Sequence, residues 1–163
     1  MHPDPRSDLC GAAFSTPLGN LVVLAHARGV THVSFDLDQL ADVDQDRSNP
    51  ALDAMALWIR AYFARRFDDL PRVPLALQDQ PQRPILEAVS SIPVGHTRTY
   101  GQIAAQIGRP TAARAVGAAV GRNPCMLVVP CHRVIGANGS LTGFGGGIQR
   151  KAWLLRHEGV LLL

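Results

Sequence analysis

The spacing of apolar residues changes several times along the chain, and each change marks an element. In residues 14–26 a Pro17-Leu18-Gly19 turn precedes the unbroken apolar run Leu21-Val22-Val23-Leu24-Ala25, and after Arg28-Gly29 comes Val30-Thr31-His32-Val33-Ser34-Phe35. Short apolar runs bounded by Pro and Gly predict strands joined as a hairpin. Residues 36–49 are acidic and polar, a loop. From Pro50 onward, Leu52, Met55, Ile59, Tyr62 and Phe63 recur at helical spacing, which predicts a helix with one apolar face that must pack on the hairpin. Residues 70–84 contain Pro71, Pro74, Pro81 and Pro84, too many for a regular element, and the boundary between two lobes is expected there.

Four short helical patterns follow. Pro84 suits the first turn of a helix carrying Ile85, Leu86, Val89 and Ile92, which Pro93-Val94-Gly95 ends. Thr99 is placed to cap a second helix, where Tyr100, Ile103, Ala104 and Ile107 share a face. Gly108-Arg109-Pro110 makes a turn, Thr111 is expected to cap a third helix over residues 112–120, and a fourth covers residues 148–157. Helix, Gly-bearing turn, helix is the outline of a helix-turn-helix and equally of a plain αα-hairpin. The third helix carries Ala112, Ala113, Ala115, Gly117, Ala118 and Ala119, with Arg114 as its cation before Arg122. It lacks the long polar side chains that read base edges in a major groove. Such a surface fits close approach to something shallow, with one Arg reaching into a base stack, or burial as a packing helix.

The 163 residues, 47% hydrophobic and 18% charged, make one compact unit or two small lobes with a real core and exclude a disordered chain. Apolar stretches such as 126–129 and 160–163 fall far short of the ~20 residues that span a bilayer. The start, Met1-His2-Pro3-Asp4-Pro5-Arg6, has no secretory pattern, so a cytoplasmic protein is expected. Cys10, Cys125 and Cys131, odd in number and irregular in spacing, read as reduced thiols. Charge is uneven: residues 1–82 hold 7 Arg against 11 Asp, whereas residues 83–163 hold 8 Arg and 1 Lys against 2 Glu. The second half therefore suits a polyanion, and Arg forks suit phosphates and base edges, although a GC-rich genome produces the same Arg bias.

The chemistry concentrates in Val128-Val129-Pro130-Cys131-His132-Arg133-Val134. A Cys beside a His and an Arg has neighbours that favour the nucleophilic thiolate; a buried inert Cys next to a surface His has the same spacing. Cys125, Cys131 and His132 are three soft metal ligands without a paired C-x-x-C or an evident fourth, so no metal is expected. The Gly-rich residues 136–147 match neither the phosphate-loop nor the dinucleotide fingerprint, so no nucleotide cofactor is expected; they suit the lining of a small pocket. Glu158, one of two acids after residue 83, is either a surface charge or the third member of a Cys, His, Glu relay.

Taken together, Ile92-Pro-Val-Gly-His-Thr-Arg-Thr-Tyr100, Ala112-Ala-Arg-Ala-Val-Gly117, Gly121-Arg-Asn-Pro124, Val129-Pro-Cys-His-Arg-Val134 and Lys151-Ala-Trp-Leu-Leu-Arg-His-Glu-Gly159 resemble the O6-alkylguanine-DNA alkyltransferases, or methylated-DNA–protein-cysteine methyltransferases. The resemblance runs from Ile92 to about Val160, and weakly through residues 15–21. It implies an α/β fold in two lobes: a small antiparallel sheet with a helix, ribonuclease-H-like, over residues 1–80, and a helical DNA-binding and alkyl-transfer lobe with a helix-turn-helix over residues 81–163. It implies a monomeric DNA-repair protein, without cofactor or membrane, that binds duplex DNA in the minor groove and flips the damaged base out. Flipping is required because a thiol cannot reach the exocyclic carbon inside a duplex.

By that resemblance Cys131 takes the alkyl group from O6-alkylguanine, with O4-alkylthymine a further candidate substrate, and each molecule acts once. His132, through a water and held by Glu158, draws off the thiol proton. Tyr100 crowds the adjacent phosphate and assists the departing guanine, and Asn123 stabilises the turn between recognition helix and active site. Arg114 fills the gap left in the stack, Thr99, Ala112, Ala113, Gly117 and Arg122 meet the DNA, and Arg133, Val134, Phe144, Gly145 and Gly146 line the alkylguanine pocket. The chain departs from the family at Pro81, Gln82 and Leu86, where a Phe-Gln pair and a Trp are common. It departs again at Phe144-Gly145-Gly146-Gly147, which lacks a Tyr hydroxyl and implies a roomier pocket that admits groups larger than methyl. Some relatives hold zinc in the first lobe; Cys10, His26 and His32 form no clear four-ligand set. The alternative is an alkyltransferase-like damage-binding protein without transfer; such proteins typically lack the reactive Cys.

Overall fold

A computed structural model gives the fold of residues 8–160; the segment 1–7, which includes the start read for a secretory pattern, and the apolar residues 161–163 lie outside the described residues. The chain divides into two compact units between Leu77 and Gln78.

In the first unit β1 (Cys10–Thr16), β2 (Gly19–His26) and β3 (Gly29–Ser34) form an antiparallel sheet in the order β1-β2-β3. The first strand has weak β-forming residues and was not evident from its composition. It is recruited by the turn after it, where the Thr16 hydroxyl donates to the Gly19 carbonyl (2.7 Å) and Thr16 pairs with Gly19. Residues 21–25 of β2 are all buried, because α1 (Pro50–Phe63) and a 3-10 turn at Leu37–Leu40 both pack on this strand. That double cover explains the unbroken apolar run.

Both sheet edges bond in part to flanking chain, which reduces the unpaired backbone that could recruit other chains. Gly11 N donates to Asp44 O (3.0 Å) on one side; on the other, Val30 N donates to Pro74 O and Ala76 N to Val30 O, both at 2.8 Å. The first half of the proline-rich segment thus belongs to the first unit. Gly29 sits at φ 130, and a Cβ there would lie 2.5 Å from the Pro74 carbonyl oxygen, so only glycine fits. Asn49 caps α1, accepting from Ala51 N (2.7 Å) and donating through Nδ2 to His26 O (3.2 Å), while Pro50 occupies the first turn.

The second unit contains α2 (Arg83–Ser90), β4 (Arg98–Thr99), α3 (Tyr100–Gln106), α4 (Ala113–Gly121), β5 (Val134–Ile135) and α5 (Ile148–His157). Thr99 caps α3 in a reciprocal box with Gln102. Gly108, at φ 76, ends that helix, and Arg109 N closes the turn on Ala104 O (2.9 Å), the left-handed glycine stop. Helix α4 packs against α3. Thr111 does not cap α4: Ala112 N bonds Arg109 O (2.9 Å), the turn ends one residue later, and Ala112 takes the cap position without a side-chain bond. Among the described residues no helix is long and apolar enough to cross a membrane.

Asn49 joins a helix cap to a strand carbonyl, so Asn49→Ala should lower unfolding free energy by about 1–2 kcal/mol. Urea unfolding should show a lower midpoint with unchanged slope, and Asn49→Asp, which keeps the cap oxygen but loses the bond to His26, should fall between; an unshifted midpoint in Asn49→Ala would contradict this role.

Candidate active site

The apolar stretch before Cys131 forms turns. Val128 N bonds Met126 O (2.8 Å), Val129 N bonds Cys125 O (3.0 Å), and Leu127 adopts φ 70. Asn123 spans this loop from within, donating through Nδ2 to Val129 O (2.9 Å) and accepting from Cys125 N (3.0 Å). Cys131, His132 and Arg133 form one 3-10 turn, closed by Arg133 N on Pro130 O (2.9 Å). Strand β5 then pairs in parallel with β4, Arg98 opposite Val134 and Thr99 opposite Ile135. This pairing sets Tyr100, which leaves β4, beside the chain that leaves the cysteine turn.

Behind the turn lies Glu158, at the end of α5, with a fully buried side chain. Its Oε2 is 2.6 Å from His132 Nε2, and Arg133 grips the same carboxylate, Nε to Oε1 at 2.7 Å and Nη2 to Oε2 at 3.1 Å. The remaining arm of Arg133 donates from Nη1 to Ile92 O (2.7 Å). Arg133, which the family resemblance puts in the pocket lining, clamps Glu158. Burial alone would raise the Glu158 pKa, but the hydrogen bonds and charges of His132 and Arg133 prevail and hold it at about 2.

Those contacts fix the imidazole's protonation. An ionised carboxylate only accepts, so Nε2 must carry the hydrogen that faces it. Burial pushes the His132 pKa down, against the pull of Glu158, which leaves the ring neutral and Nδ1 with a free lone pair. Among the described residues, Nδ1 is the one buried side-chain nitrogen or oxygen without a hydrogen-bond partner. Cys131 is 4% exposed; burial pushes its thiol up, with Asn123 and the Lys151 ammonium acting in the opposite sense. The site therefore rests as a neutral thiol beside a neutral base, not as a preformed ion pair. Cys125 is pushed by burial to about 12, which makes it an inert core thiol.

Lys151 is the residue the sequence reading missed. It is 1% exposed, donates from Nζ to Val134 O (2.6 Å) and Thr142 O (2.9 Å), and is pushed by burial down to about 8, with Cys131 acting in the opposite sense. A signal was available: it is the chain's single Lys among 15 Arg, a place where a compact ammonium fits and a planar fork does not. The carbonyl of Thr142 also accepts from the Tyr100 hydroxyl (2.9 Å), so Tyr100 and Lys151 share one backbone anchor. The Tyr100 ring lies 3.7 Å from where a Cβ on Gly117 would be.

The other predicted residues fall in three places. Arg114 and Arg122 are exposed on and just after α4, with Ala112, Ala113 and Gly117 half-buried beside them. The Thr99 hydroxyl accepts from Gln102 N as the α3 cap. Phe144 is buried and forms a T-shaped pair with His132, centroids 6.4 Å apart; Gly146 is buried against the same ring, Gly145 is exposed, and Val134 is buried within β5. Among the described residues no three His, Cys, Asp or Glu side chains are placed to hold a metal ion. Cys10 donates to Ala25 O (3.4 Å), and His26 accepts from Arg28 N (3.0 Å).

Residues 11–77 match the family described as 6-O-methylguanine DNA methyltransferase, ribonuclease-like domain, and residues 80–160 match its DNA binding domain. The methylated-DNA–protein-cysteine methyltransferase of Mycobacterium tuberculosis is 43% identical over 149 residues, 89% of each chain. The chain belongs to the 6-O-methylguanine DNA methyltransferase family. The protein of the same name from Shigella flexneri is 56% identical over 106 residues, which are 64% of this chain and 62% of that relative, so the match spans less than two thirds of that relative's length. In structure, the fold resembles a crystal structure of Mycobacterium tuberculosis OGT in complex with DNA, with TM-score 0.75, 40% identity and 90% of both chains covered. This family likeness extends to the small antiparallel sheet and to the helical carboxy-terminal unit.

Because Glu158 has a lower pKa folded than its ordinary 4.5, its contribution is present above that value and is lost as pH falls toward 2; a shift of this size is on the order of 3 kcal/mol. His132, held neutral by burial, acts in the same direction below its ordinary 6.5, because the unfolded chain takes up the proton first. Wild-type stability should therefore fall steeply on acidification below about pH 4.5, and Glu158→Gln should be less stable at pH 7 yet lack that acid segment. Parallel stability–pH curves for the two proteins would contradict the clamp.

Proposed function

We propose that this chain repairs DNA by moving an alkyl group from O6-alkylguanine in duplex DNA to Cys131, irreversibly and once per molecule. The observation that carries this reading is the Cys131, His132, Glu158 arrangement, with a neutral imidazole whose Nδ1 is free to accept and whose Nε2 is held by a buried carboxylate. A water between the thiol and Nδ1 carries the proton from Cys131 to His132. The thiolate sulfur forms a bond to the alkyl carbon as the bond from that carbon to O6 breaks. Guanine departs with a proton from the Tyr100 hydroxyl, and the imidazolium of His132 gives its proton back through water to the Tyr100 phenolate, so that the net transfer is of one proton from thiol to base. The thioether product does not hydrolyse, and no cofactor enters the reaction.

Helices α3 and α4 act as the helix-turn-helix, with the small exposed face of α4 against the minor groove and Arg114 in the gap left by the flipped nucleotide. The family membership and the DNA complex of the Mycobacterium tuberculosis relative support DNA as the partner. Residues 81–163 supply DNA binding and alkyl transfer, and residues 1–80 a ribonuclease-like lobe. The protein works as a monomer in the cytoplasm, and binding weakens with salt because phosphate contacts dominate.

Incubated with an equimolar duplex carrying O6-methylguanine, the protein should gain one methyl group on Cys131, saturating at one per molecule, with no gain in Cys131→Ala. Arg114→Ala should slow transfer from the duplex at least about tenfold, the equivalent of 1.4 kcal/mol, while transfer from the free modified base persists. Tight binding to the damaged duplex without any mass gain would overturn the reading in favour of a damage-binding protein that does not transfer.

A further inference from the structure

The loop between β5 and α5 is exposed at Thr142, Gly143, Gly145 and Gly147, yet Phe144 turns inward and is 8% exposed. Its ring and the His132 imidazole form a T-shaped pair, interplanar angle 77°. Against the ring lies Gly146, where a Cβ would sit 2.6 Å from the nearest Phe144 ring carbon; any side chain at 146 displaces the ring. The loop is tied in this shape by Gly147 N on Phe144 O (3.0 Å) and by Arg150 Nη1 on Gly146 O (3.1 Å). An exposed, glycine-rich segment thus holds one aromatic ring against one imidazole, which is more than a passive pocket wall requires.

Resting on the alkyl-transfer reading, we propose that Phe144 is a positioning residue for that reaction: its ring, backed by Gly146, excludes bulk water from His132 and keeps Nδ1 ready to take the thiol proton. The charged groups that act on the imidazole are Glu158 and Lys151 from α5 and its end, and Arg133 from the same turn, with Cys131 the titratable neighbour in sequence. Glu158 favours the imidazolium, while Arg133, Lys151 and above all burial oppose it. Opening the aromatic side to water weakens burial, the strongest of the opposing influences, and leaves the carboxylate's pull in place. The ring then protonates at a higher pH, and a protonated Nδ1 cannot accept.

The test is the single-turnover methyl-transfer rate from duplex O6-methylguanine as a function of pH, together with an NMR titration of the His132 imidazole in the absence of DNA, assigned with His132→Gln. In Phe144→Ala the acid limb and the imidazole titration should both move up by about one pH unit. Phe144→Leu, which restores an apolar cover, should keep the wild-type limb whatever its absolute rate. Gly146→Ala, which leaves the ring but displaces it, should move in the same direction as Phe144→Ala and carries the test where that variant does not fold. A rate lowered equally at every pH, with an unmoved imidazole titration, would overturn the positioning role while the transfer reading stands. A wild type that takes up no methyl group would instead overturn the transfer reading and the role with it.

Discussion

A carboxylate removed from water is costly unless donors surround it. Glu158 receives three, one from His132 and two from Arg133, and the second unit is arranged around that requirement. Arg133 carries the link onward to the Ile92 carbonyl just beyond α2, so the carboxylate ties the end of α5, the cysteine turn and the end of α2 to one point. Chemistry follows from the same contact. The ionised oxygen dictates which imidazole nitrogen holds hydrogen, and thereby turns the other toward acceptance. Removing the carboxylate would leave a buried guanidinium without its anion and an imidazole free to choose the wrong tautomer.

Burial is the competing influence, and comparing the groups shows where it wins. It wins at Cys131, at His132 and at Lys151, each displaced toward its neutral form; it loses at Glu158, which has the two strongest partners. The result is a resting site with little thiolate. In the proposed single-use transfer this suits Cys131, which must survive until a lesion arrives, because oxidation follows thiolate character and exposure. On the proposed reading, reactivity arises when a substrate carbon is in place for the proton to leave through Nδ1. The parallel pairing of β4 with β5 and the shared Thr142 carbonyl keep Tyr100 and Lys151 in register with that event.

Legibility in the sequence tracked the kind of interaction involved. Strand β2 and helix α1 were plain because long apolar patterns with Pro and Gly punctuation follow from backbone sterics. Strand β1 was not, since its pairing rather than its composition makes it a strand. The parallel β4 and β5, two residues each, leave no periodic signal at all. At the site, Cys131 and His132 were evident as neighbours, but whether Glu158 was a surface charge or a relay member depended on a contact 26 residues apart. The grip of Arg133 on Glu158 was illegible for the same reason: a side chain's direction is set by its partner. Thr111 looked like a cap because the residue type is right, and the turn closing at Ala112 moved the helix start past it.

In the proposed transfer, the task of the Glu158 carboxylate is to hold His132 as a base. The direct measurement is the single-turnover rate of methyl transfer to Cys131 in Glu158→Gln, under conditions where the variant is folded and saturated with damaged duplex. A positioned general base contributes typically ~10²–10⁴-fold, so the rate should fall at least about a hundredfold while affinity for the duplex is retained. A variant that transfers methyl at the wild-type rate would show that Glu158 only holds the fold together and that the proton leaves Cys131 by another route.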